Sequence, residues 1–407
     1  MNRLTKLQQL IKELCPNGVE YKKVKHIFKR LKGTPITAGK MKEIENPLGE
    51  IKIFAGGKTI INADEKNIPN ASIIRVPAVL VQSRGVIDVI YYDKPFTFKN
   101  EMWAYTIENK VTVKFLYYIL KNNIQTFRNA ASGMGALPQI SLPITEEFEI
   151  PVPPLPVQEE IVRILDELTE KTDELISELN AELDERKKQY EYFQNQLFAN
   201  SVDMQYVDVP LGDVIVSLKT GLNPRKNFKL NTPDSCCPYI TGKDIFNNKV
   251  NVTARTDEIT MDSVALINKR ACIETDDLLF ASTGTGTVGR MAIVEDYRGD
   301  WSISESIYAI KVNKNIALPQ FLMYLLYTEN VISQYKPKIT KASVPHLKVA
   351  DLLKVKISIP SIQEQKRIIK TAETLTATQD LLISNLMHEI ENRKKQYEYY
   401  RDKLLTF

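Results

Sequence analysis

The sequence predicts an α+β protein in which two mixed α/β domains are separated by a pair of long antiparallel coiled-coil helices, with an internal pseudo-two-fold repeat. Three observations support this class. The heptapeptide at residues 186–192 recurs at residues 393–399, an offset of 207. Residues 158–198 and 363–405, which contain these heptapeptides, lack glycine and proline and are rich in strong helix formers. Short β-type runs, punctuated by glycine and proline, precede each helical segment.

The repeat extends far upstream of the heptapeptide. When the sequence is shifted by 207 positions, identical residues coincide without any gap, and these include Pro138 with Pro345, Pro153 with Pro360, Gln158 with Gln365, Ile161 with Ile368, Leu168 with Leu375 and Leu179 with Leu386. A repeat with so long a period indicates a duplicated structural unit. The predicted domains are residues 1–150, a spacer helix at 151–200, a second domain at 201–358 and a second spacer helix at 359–407.

Local patterns place the elements inside this plan. Strands are predicted at 51–54, 72–76, 78–81, 86–92, 238–240, 277–281 and 290–294, and shorter helices at 4–14, 113–122 and 319–327. The proline-rich exit at 150–156 is predicted to be non-helical, because each proline fixes its own φ and disfavours helix in the residue before it.

The apolar positions of the two long helices predict a packed pair. Spacings of three and four residues indicate a heptad seam, with an extra step of four, a stutter, between Leu179 and Leu183. Because the first helix leaves the first domain and the second helix leaves the second domain, a packed pair is expected to be antiparallel. The residues predicted for the helix-pair or partner interface are Leu168, Leu175, Leu179, Tyr190, Leu375, Leu382, Leu386 and Tyr397.

Charge is distributed unevenly along the 407 residues. Residues 1–150 carry 22 Lys and Arg against 14 Asp and Glu, whereas residues 151–200 carry 5 against 12. The first domain is therefore suited to a polyanion and the first long helix is not. No apolar run approaches the length of about 20 residues that spans a membrane, and the start of the chain lacks the apolar core of a secretory signal. We expect a cytoplasmic protein.

Motifs of catalysis and cofactor binding are absent from the sequence. Residues 284–289 match Gly-x-Gly-x-x-Gly, but the residues that follow predict a strand and not the phosphate-binding helix that a nucleotide site requires. This segment is therefore predicted to be a glycine-rich turn. The four cysteines and three histidines show no zinc-ligand spacing. We predict no catalytic residue, no metal and no cofactor.

Polar loops that contain arginine, lysine and small residues are the remaining candidates for a ligand site. Arginine and lysine can bind phosphates and guanine edges, and glutamine can bind adenine edges. A solvated surface role is the alternative for each residue. The predicted DNA-contact residues are Lys58, Gln82, Ser83, Arg84, Lys243, Ser282, Thr283, Thr285, Thr340 and Lys341.

The whole chain resembles the DNA-specificity subunits of type I restriction-modification systems. The resemblance lies in the duplicated exit and helix, Pro-Pro-Leu-Pro-Val-Gln-Glu-Glu-Ile and Pro-Ser-Ile-Gln-Glu-Gln-Lys-Arg-Ile, and in the Arg-Lys-Lys-Gln-Tyr near each helix end. It implies two target-recognition domains that each read half of a bipartite site in double-stranded DNA. It also implies partners: methyltransferase subunits, expected to be two and to hold S-adenosylmethionine, and restriction subunits.

The sequence is also compatible with two other functions. One is a stand-alone DNA methyltransferase or endonuclease, and the other is a coiled-coil scaffold that binds only proteins. The repeated heptapeptide could itself be a nucleic-acid patch, but its tyrosines Tyr190 and Tyr397 fall on the predicted seam. We therefore expect it to mark matching ends of the two helices.

Overall fold

The computed structural model describes residues 3–57, 59–132, 137–198 and 207–407. The chain forms two compact units: unit 1 comprises Met1–Asn180 and Met387–Phe407, and unit 2 comprises Ala181–Leu386. The chain passes between the units only along its two longest helices, which each have residues in both.

Unit 1 alternates short strands with helices and then enters the first long helix. Its elements are α1 (Arg3–Leu14), β1 (Tyr21–Lys23), α2 (Val24–Ile27), β2 (Lys29–Leu31), α3 (Ala38–Ile44), β3 (Ile51–Phe54), β4 (Ile60–Ala63), β5 (Ala78–Gln82), β6 (Asp88–Tyr92), β7 (Phe96–Phe98), β8 (Trp103–Thr106), α4 (Lys110–Asn122), α5 (Ile124–Asn129), α6 (Leu142–Glu146), β9 (Glu149–Pro151) and the start of α7 (Leu155–Leu197). Residues 387–407, which contain the end of the second long helix, complete the unit.

Unit 2 begins within α7 and has the same alternation. Its elements are β10 (Val207–Pro210), β11 (Ile215–Thr220), α8 (Pro224–Asn227), β12 (Cys237–Ile240), β13 (Ile245–Phe246), β14 (Lys249–Val250), β15 (Asp257–Ile259), α9 (Met261–Asn268), β16 (Leu278–Ala281), β17 (Met291–Ile293), β18 (Ser302–Ile303), β19 (Ile307–Val312), α10 (Pro319–Leu326), α11 (Glu329–Tyr335), α12 (Val349–Leu353), β20 (Lys356–Ile359) and α13 (Ile362–Leu405). We call residues 20–152 the first domain and residues 207–359 the second domain.

The two domains have one sheet topology. The first domain has an antiparallel sheet in the order β2-β8-β5-β6, a smaller sheet in the order β4-β3-β7 and the pair β1-β9. The second domain has the orders β11-β19-β16-β17, β15-β12-β18 and the pair β10-β20, and it adds the hairpin β13-β14. Strand directions agree as well, since β3 is parallel to β7 and β12 is parallel to β18. Two dissimilar sequences therefore form the same framework.

In each unit, helices pack on the main sheet, and the side chains between them form one hydrophobic cluster. In unit 1 the side chains of α4 pack with β5, β8, the start of α7 and the end of α13, and the fully buried members include Val79, Tyr105, Leu116, Leu120, Ile161 and Leu165. In unit 2 the corresponding cluster contains Leu278, Phe280, Ile310, Phe321, Leu322 and Ile368. The helix starts are thus part of the domain cores.

A buried glutamine fastens each long helix to its domain exit. Nε2 of Gln158 donates a hydrogen bond to the carbonyl oxygen of Pro153 (2.7 Å), and Nε2 of Gln365 donates to that of Pro360 (2.9 Å). The four residues are related by the repeat offset of 207. Because a buried polar group without a partner costs about 1–3 kcal/mol, these bonds favour one direction of departure for each helix.

The predicted non-helical exit is wrong at its last two residues. Helix α7 begins at Leu155 and includes Pro156. Proline is tolerated in the first turn of a helix because its missing N–H has no intrahelical acceptor there and its φ already suits a helix. The predicted strand at 72–76 is also not formed. Ile74 makes only an isolated bridge to Phe96, and Pro77 has no backbone N–H to extend a ladder.

In each unit the segments of the two long helices pack antiparallel, as predicted. The same tyrosine–threonine contact occurs in both units. The hydroxyl of Tyr190 lies 2.9 Å from Oγ1 of Thr376 in unit 2, and the hydroxyl of Tyr397 lies 2.9 Å from Oγ1 of Thr169 in unit 1. The offset of 207 converts one contact into the other. The tyrosine of the repeated heptapeptide is therefore a helix-pairing residue.

The seam of the helix pair is more regular than predicted. Half-buried positions at alternate spacings of four and three residues run through Thr169, Thr172, Ile176, Leu179, Leu183, Arg186 and Tyr190, and their repeat equivalents are Thr376, Gln379, Ile383, Leu386, Ile390, Arg393 and Tyr397. This is an uninterrupted heptad pattern, so the predicted stutter is wrong. The prediction for Leu382 is corrected as well: it is 38% exposed, and the adjacent Ile383 lies on the seam instead. Leu168, Leu175 and Leu375 are half-buried beside it.

Candidate nucleic-acid interface

In the first domain the connection between β5 and β6 is bonded to a segment 55 residues further along the chain. The backbone N–H of Gly85 donates to the carbonyl oxygen of Pro138 (2.9 Å), and the N–H of Ile140 donates to that of Ser83 (2.9 Å). Gly85 has φ +78°, a left-handed conformation that glycine adopts without strain. The two loops form one rigid unit at the end of the main sheet.

The second domain contains the same pair of loops. The N–H of Gly284 donates to the carbonyl oxygen of Pro345 (3.0 Å), and the N–H of Leu347 donates to that of Ser282 (2.9 Å). Pro345 and Leu347 are the repeat equivalents of Pro138 and Ile140. The framework that presents the loops is therefore conserved between the domains, although their sequences differ.

The residue pair between these hydrogen bonds differs in the two domains. Arg84 lies opposite Gln139, and Thr283 lies opposite His346, each pair in an isolated antiparallel β-bridge. Both are non-hydrogen-bonded pairs, whose side chains lie close together on one face. Gln139 and His346 are absent from the residues that the sequence predicts for contact. The repeat signals them, because the offset that aligns Pro138 with Pro345 also aligns these two residues.

The exposed and buried members of the first-domain site differ in what they can contact. Arg84 is exposed, and its guanidinium has no hydrogen bond or ion pair among the described residues. Gln82 and Ser83 are buried. Nε2 of Gln82 donates to the carbonyl oxygen of Gly57 (2.9 Å), and the hydroxyl of Ser83 donates to that of Glu101. The prediction that Gln82 and Ser83 contact DNA directly is therefore revised: they hold the loop that presents Arg84.

The second-domain residues divide in the same way. The buried hydroxyl of Ser282 donates to the carbonyl oxygen of Ser306 (3.0 Å), so it too holds a loop, contrary to the predicted direct contact. Oγ1 of Thr283 lies 2.8 Å from Nδ1 of His346. Oγ1 of Thr340 accepts a hydrogen bond from the N–H of His346 (3.0 Å) and closes the second loop. The hydroxyls of Ser282 and Thr340 therefore hold the loops, and that of half-buried Thr283 orients the ring of His346.

Three predicted residues of the second domain lie at the surface. Lys341 and Thr285 are at exposed loop tips. Nζ of Lys243 donates to Oδ2 of Asp257 (2.8 Å), a hydrogen bond that lowers the pKa of Asp257 and keeps the lysine occupied. The remaining predicted residue, Lys58, lies outside the described residues.

Two clefts flank the loop pair of the first domain. One of about 610 Å³ is lined by Arg84, Lys99 and Glu101, and another of about 620 Å³ is lined by Gln139 and again by Glu101. Burial raises the pKa of Glu101, but hydrogen bonds from the backbone and from Lys99 outweigh this effect, so its pKa lies below the ordinary value. Arg84 thus lines one cleft and Gln139 lines the other.

The glycine-rich segment is a turn, as predicted. Strands β16 and β17 pair antiparallel on its two sides, and Gly284 and Gly286 have φ +122° and +74°. Among the described residues, no group of acidic, histidine or cysteine side chains is arranged to hold a metal. Within the same residues, no helix is long and apolar enough to cross a membrane.

A family model for the type I restriction modification DNA specificity domain matches residues 16–185 and again residues 204–392. The chain belongs to this family. It is a specificity subunit, a non-catalytic DNA-recognition component with two domains. The family match gives no support to a stand-alone methyltransferase or endonuclease, and its two occurrences correspond to the internal repeat.

Named relatives agree with this assignment. The specificity subunit is 29% identical over 312 residues to the EcoR124I/EcoR124II specificity subunit of Escherichia coli, covering 74% of this chain and 72% of the relative. It is 29% identical over 338 residues to a putative type I specificity subunit of Haemophilus influenzae, covering 77% of each. A solved chain from work on the assembly and conformational transition of the type I system has TM-score 0.70 at 15% identity, over 96% of this chain and 98% of that one, and it shares the fold.

Proposed function

We propose that each domain of this specificity subunit reads one half of a bipartite site in double-stranded DNA, and that the long helices set the distance between the halves. One observation carries the proposal. The two domains share a topology and an identically bonded pair of loops, while the residues that these loops present differ. Two domains that share a framework but present different side chains are suited to recognise two different DNA sequences.

A domain duplication tests this assignment. Residues 207–359 are replaced by a second copy of residues 20–152, so that each graft carries both strands of its β1-β9 or β10-β20 pair. With the cognate methyltransferase present, methylome sequencing is expected to show the original first half-site at both ends of the target. Retention of the original second half-site would contradict the assignment of one half-site to each domain.

The subunit is further proposed to bring methyltransferase subunits, and with them restriction subunits, to the DNA. This role supports an action in the cytoplasm, where a bacterial chromosome lies. S-adenosylmethionine then belongs to the methyltransferase. The purified subunit alone is expected neither to methylate nor to cleave plasmid DNA with S-adenosylmethionine and Mg²⁺, and activity in the absence of any partner would contradict the proposal.

Two exposed aromatic pairs are the proposed methyltransferase contacts. Tyr192 and Phe193 meet edge to face in unit 2 with ring centroids 5.6 Å apart, and Tyr399 and Tyr400 do so in unit 1 at 5.4 Å. The offset of 207 relates the two pairs. All four rings are exposed, and exposed aromatic residues are typical of the centres of protein interfaces. Two equivalent pairs support two methyltransferase subunits.

Native mass spectrometry of the reconstituted complex tests the stoichiometry. The wild-type subunit is expected to bind two methyltransferases, the variants Y192A/F193A and Y399A/Y400A one each, and the quadruple variant none. The control F246A removes an exposed aromatic ring from the hairpin β13-β14 and should leave two bound. Full occupancy in the quadruple variant would place the methyltransferase interface elsewhere.

A further inference from the structure

In each domain, backbone hydrogen bonds fix the position of the cross-strand residue pair, whereas the residue types of the pair differ between the domains. In the first domain two flanking backbone hydrogen bonds, Gly85 to Pro138 and Ile140 to Ser83, hold Arg84 opposite Gln139. Neither bond involves a side chain of the pair. The pair can therefore be exchanged without loss of the bonds that hold it.

Further bonds hold the backbone of Arg84. Its carbonyl oxygen accepts a hydrogen bond from the N–H of Gly57 (3.2 Å). The side chains of Gln82 and Ser83, immediately before it, are fixed to the carbonyl oxygens of Gly57 and Glu101. A long side chain on so rigid a backbone loses less conformational entropy when it binds than one on a free loop.

The side chains of the pair are available to a ligand. Both Arg84 and Gln139 are exposed, and neither side chain has a hydrogen-bonding partner among the described residues. By contrast, Lys243 in the second domain and Lys99 in the first are occupied by carboxylates at 2.8 Å and 3.1 Å. Arg84 and Gln139 thus combine a fixed backbone with unoccupied donors.

The donor chemistry of the pair matches two purine edges. Arginine binds O6 and N7 of guanine with two hydrogen bonds, and glutamine binds N6 and N7 of adenine. Because directly opposite residues of an antiparallel pair have Cβ atoms about 4.5–5.5 Å apart, the two side chains can reach neighbouring base pairs, which are about 3.4 Å apart along the duplex. The equivalent pair of the second domain presents different groups. Nδ1 of His346 is occupied by Thr283, which leaves Nε2 as the free polar atom of the ring.

We propose that the cross-strand pair determines base specificity in each domain: Arg84 and Gln139 read a guanine and an adjacent adenine in the first half-site, and Thr283 and His346 take the same position in the second. This inference rests on the proposed function, since it requires one half-site for each domain. It adds the residues that distinguish the half-sites and the bases that the first pair recognises.

Exchange of the pairs tests the proposal in the complex with the methyltransferase. The variant R84T/Q139H gives the first domain the pair of the second, and T283R/H346Q does the reverse. Methylome sequencing is expected to show altered preference at two adjacent positions of one half-site only, with about a 10- to 100-fold loss of discrimination there, and an unchanged gap. The conservative variants R84K and Q139N retain donors for the same bases and should retain the wild-type motif.

A matched control separates base reading from lost charge. The variant R75T/Q125H makes the same two replacements at exposed positions of the first domain outside the loop pair and should leave the motif unchanged. Where R84T/Q139H abolishes methylation, the purified complex is used to select duplexes from a library randomised in the first half-site. Selection of the wild-type first half-site by R84T/Q139H would overturn the inference, whereas lost preference at two positions would support it.

Other results would contradict the proposed function itself. A wild-type complex without a bipartite motif, or a first-domain exchange that alters the second half-site, would contradict the assignment of half-sites to domains. A normal bipartite motif that R84T/Q139H leaves intact would contradict only the role of the pair.

Discussion

The first and second domains have the same framework but differ in their charge and in their interiors. Residues 1–150 carry 22 Lys and Arg against 14 Asp and Glu, whereas residues 201–355 carry 18 against 17. The sheets and loop bonds that the domains share are made by backbone groups and by residues inside the protein. This fold thus separates the bonds that build the loop site from the side chains that define its chemistry.

One buried position of the main sheet shows how the interiors of the two domains differ. Asp277, just before β16, occupies the place of Ala78 at the start of β5, and both are buried. Oδ2 of Asp277 accepts a hydrogen bond from the N–H of Glu274 (2.8 Å). Desolvation raises the pKa of Asp277 to about 6. Only the second domain has a titratable group at this position.

The largest effect is expected from shortening the element that the domains share. Removal of one heptad from each long helix, Ile176–Glu182 and Ile383–Glu389, keeps the seam in phase and shortens each helix by about 10 Å. At about 3.4 Å per base pair the gap between half-sites should shorten by about three base pairs, while both half-sites stay the same. Methylome sequencing reads the gap and the half-sites together. Changed half-sites with an unchanged gap would contradict the separation of roles.

A second prediction concerns the stability of the second domain against pH. Because the folded-state pKa of Asp277 is raised above its unfolded value, the folded state binds an extra proton between about pH 4 and 6, and stability falls as pH rises through this window. The variant D277N should therefore stabilise the second domain by roughly 3 kcal/mol above pH 6, and the gain should vanish below about pH 4. The first domain should show no such gain.

The two tryptophans allow the domains to be followed separately. Trp103 lies in the first domain and Trp301 in the second. Urea unfolding of W103F, followed by the fluorescence of Trp301, measures the second domain with and without D277N, and W301F measures the first. The neighbouring substitution D276N, at a residue that pairs with Lys314 at the surface, is the control. An equal gain at pH 4 and pH 7.5 would contradict the desolvation explanation.

A third prediction distinguishes phosphate contact from base contact. Lys341 lies at an exposed loop tip without a described partner. The variant K341A is expected to weaken DNA binding by the assembled enzyme about three- to tenfold at low salt, alike for cognate and noncognate duplexes, and to reduce the salt slope by about one. Fluorescence anisotropy at several salt concentrations measures this, with K354A as the control. A changed methylation motif would show instead that Lys341 reads bases.

The smallest effect is expected where the two halves are most alike. Y190F and Y397F remove equivalent hydrogen bonds, and each threonine partner keeps a bond to a carbonyl oxygen of its own helix. Each variant should therefore lose only about 0.5–1 kcal/mol of unfolding free energy, and the two losses should be equal. Urea unfolding measures them, with Y192F and Y399F at exposed positions as controls. Clearly unequal losses would show that the helix pair is not symmetric in energy.

The sequence predicted the helices better than the loop site. Heptad spacing and the absence of glycine and proline predicted both long helices to within a few residues. The same pattern misplaced the seam by one residue, because Leu175 and Ile176 are both apolar and only the packed partner decides which faces inward. Gln82 and Ser83 were predicted to contact DNA because such side chains can bind phosphates and base edges, but both are buried and bond to carbonyl oxygens distant in the chain.

What the sequence alone determined was the duplicated plan: its offset of 207, its two long helices and the tyrosine that each heptapeptide contributes to their seam. These features follow from local periodicity and from comparison of the chain with itself. The pairing of Arg84 with Gln139 and of Thr283 with His346 became apparent from the folded chain alone. Such pairs depend on how a sheet closes around residues far apart in the chain, and no local pattern contains that information.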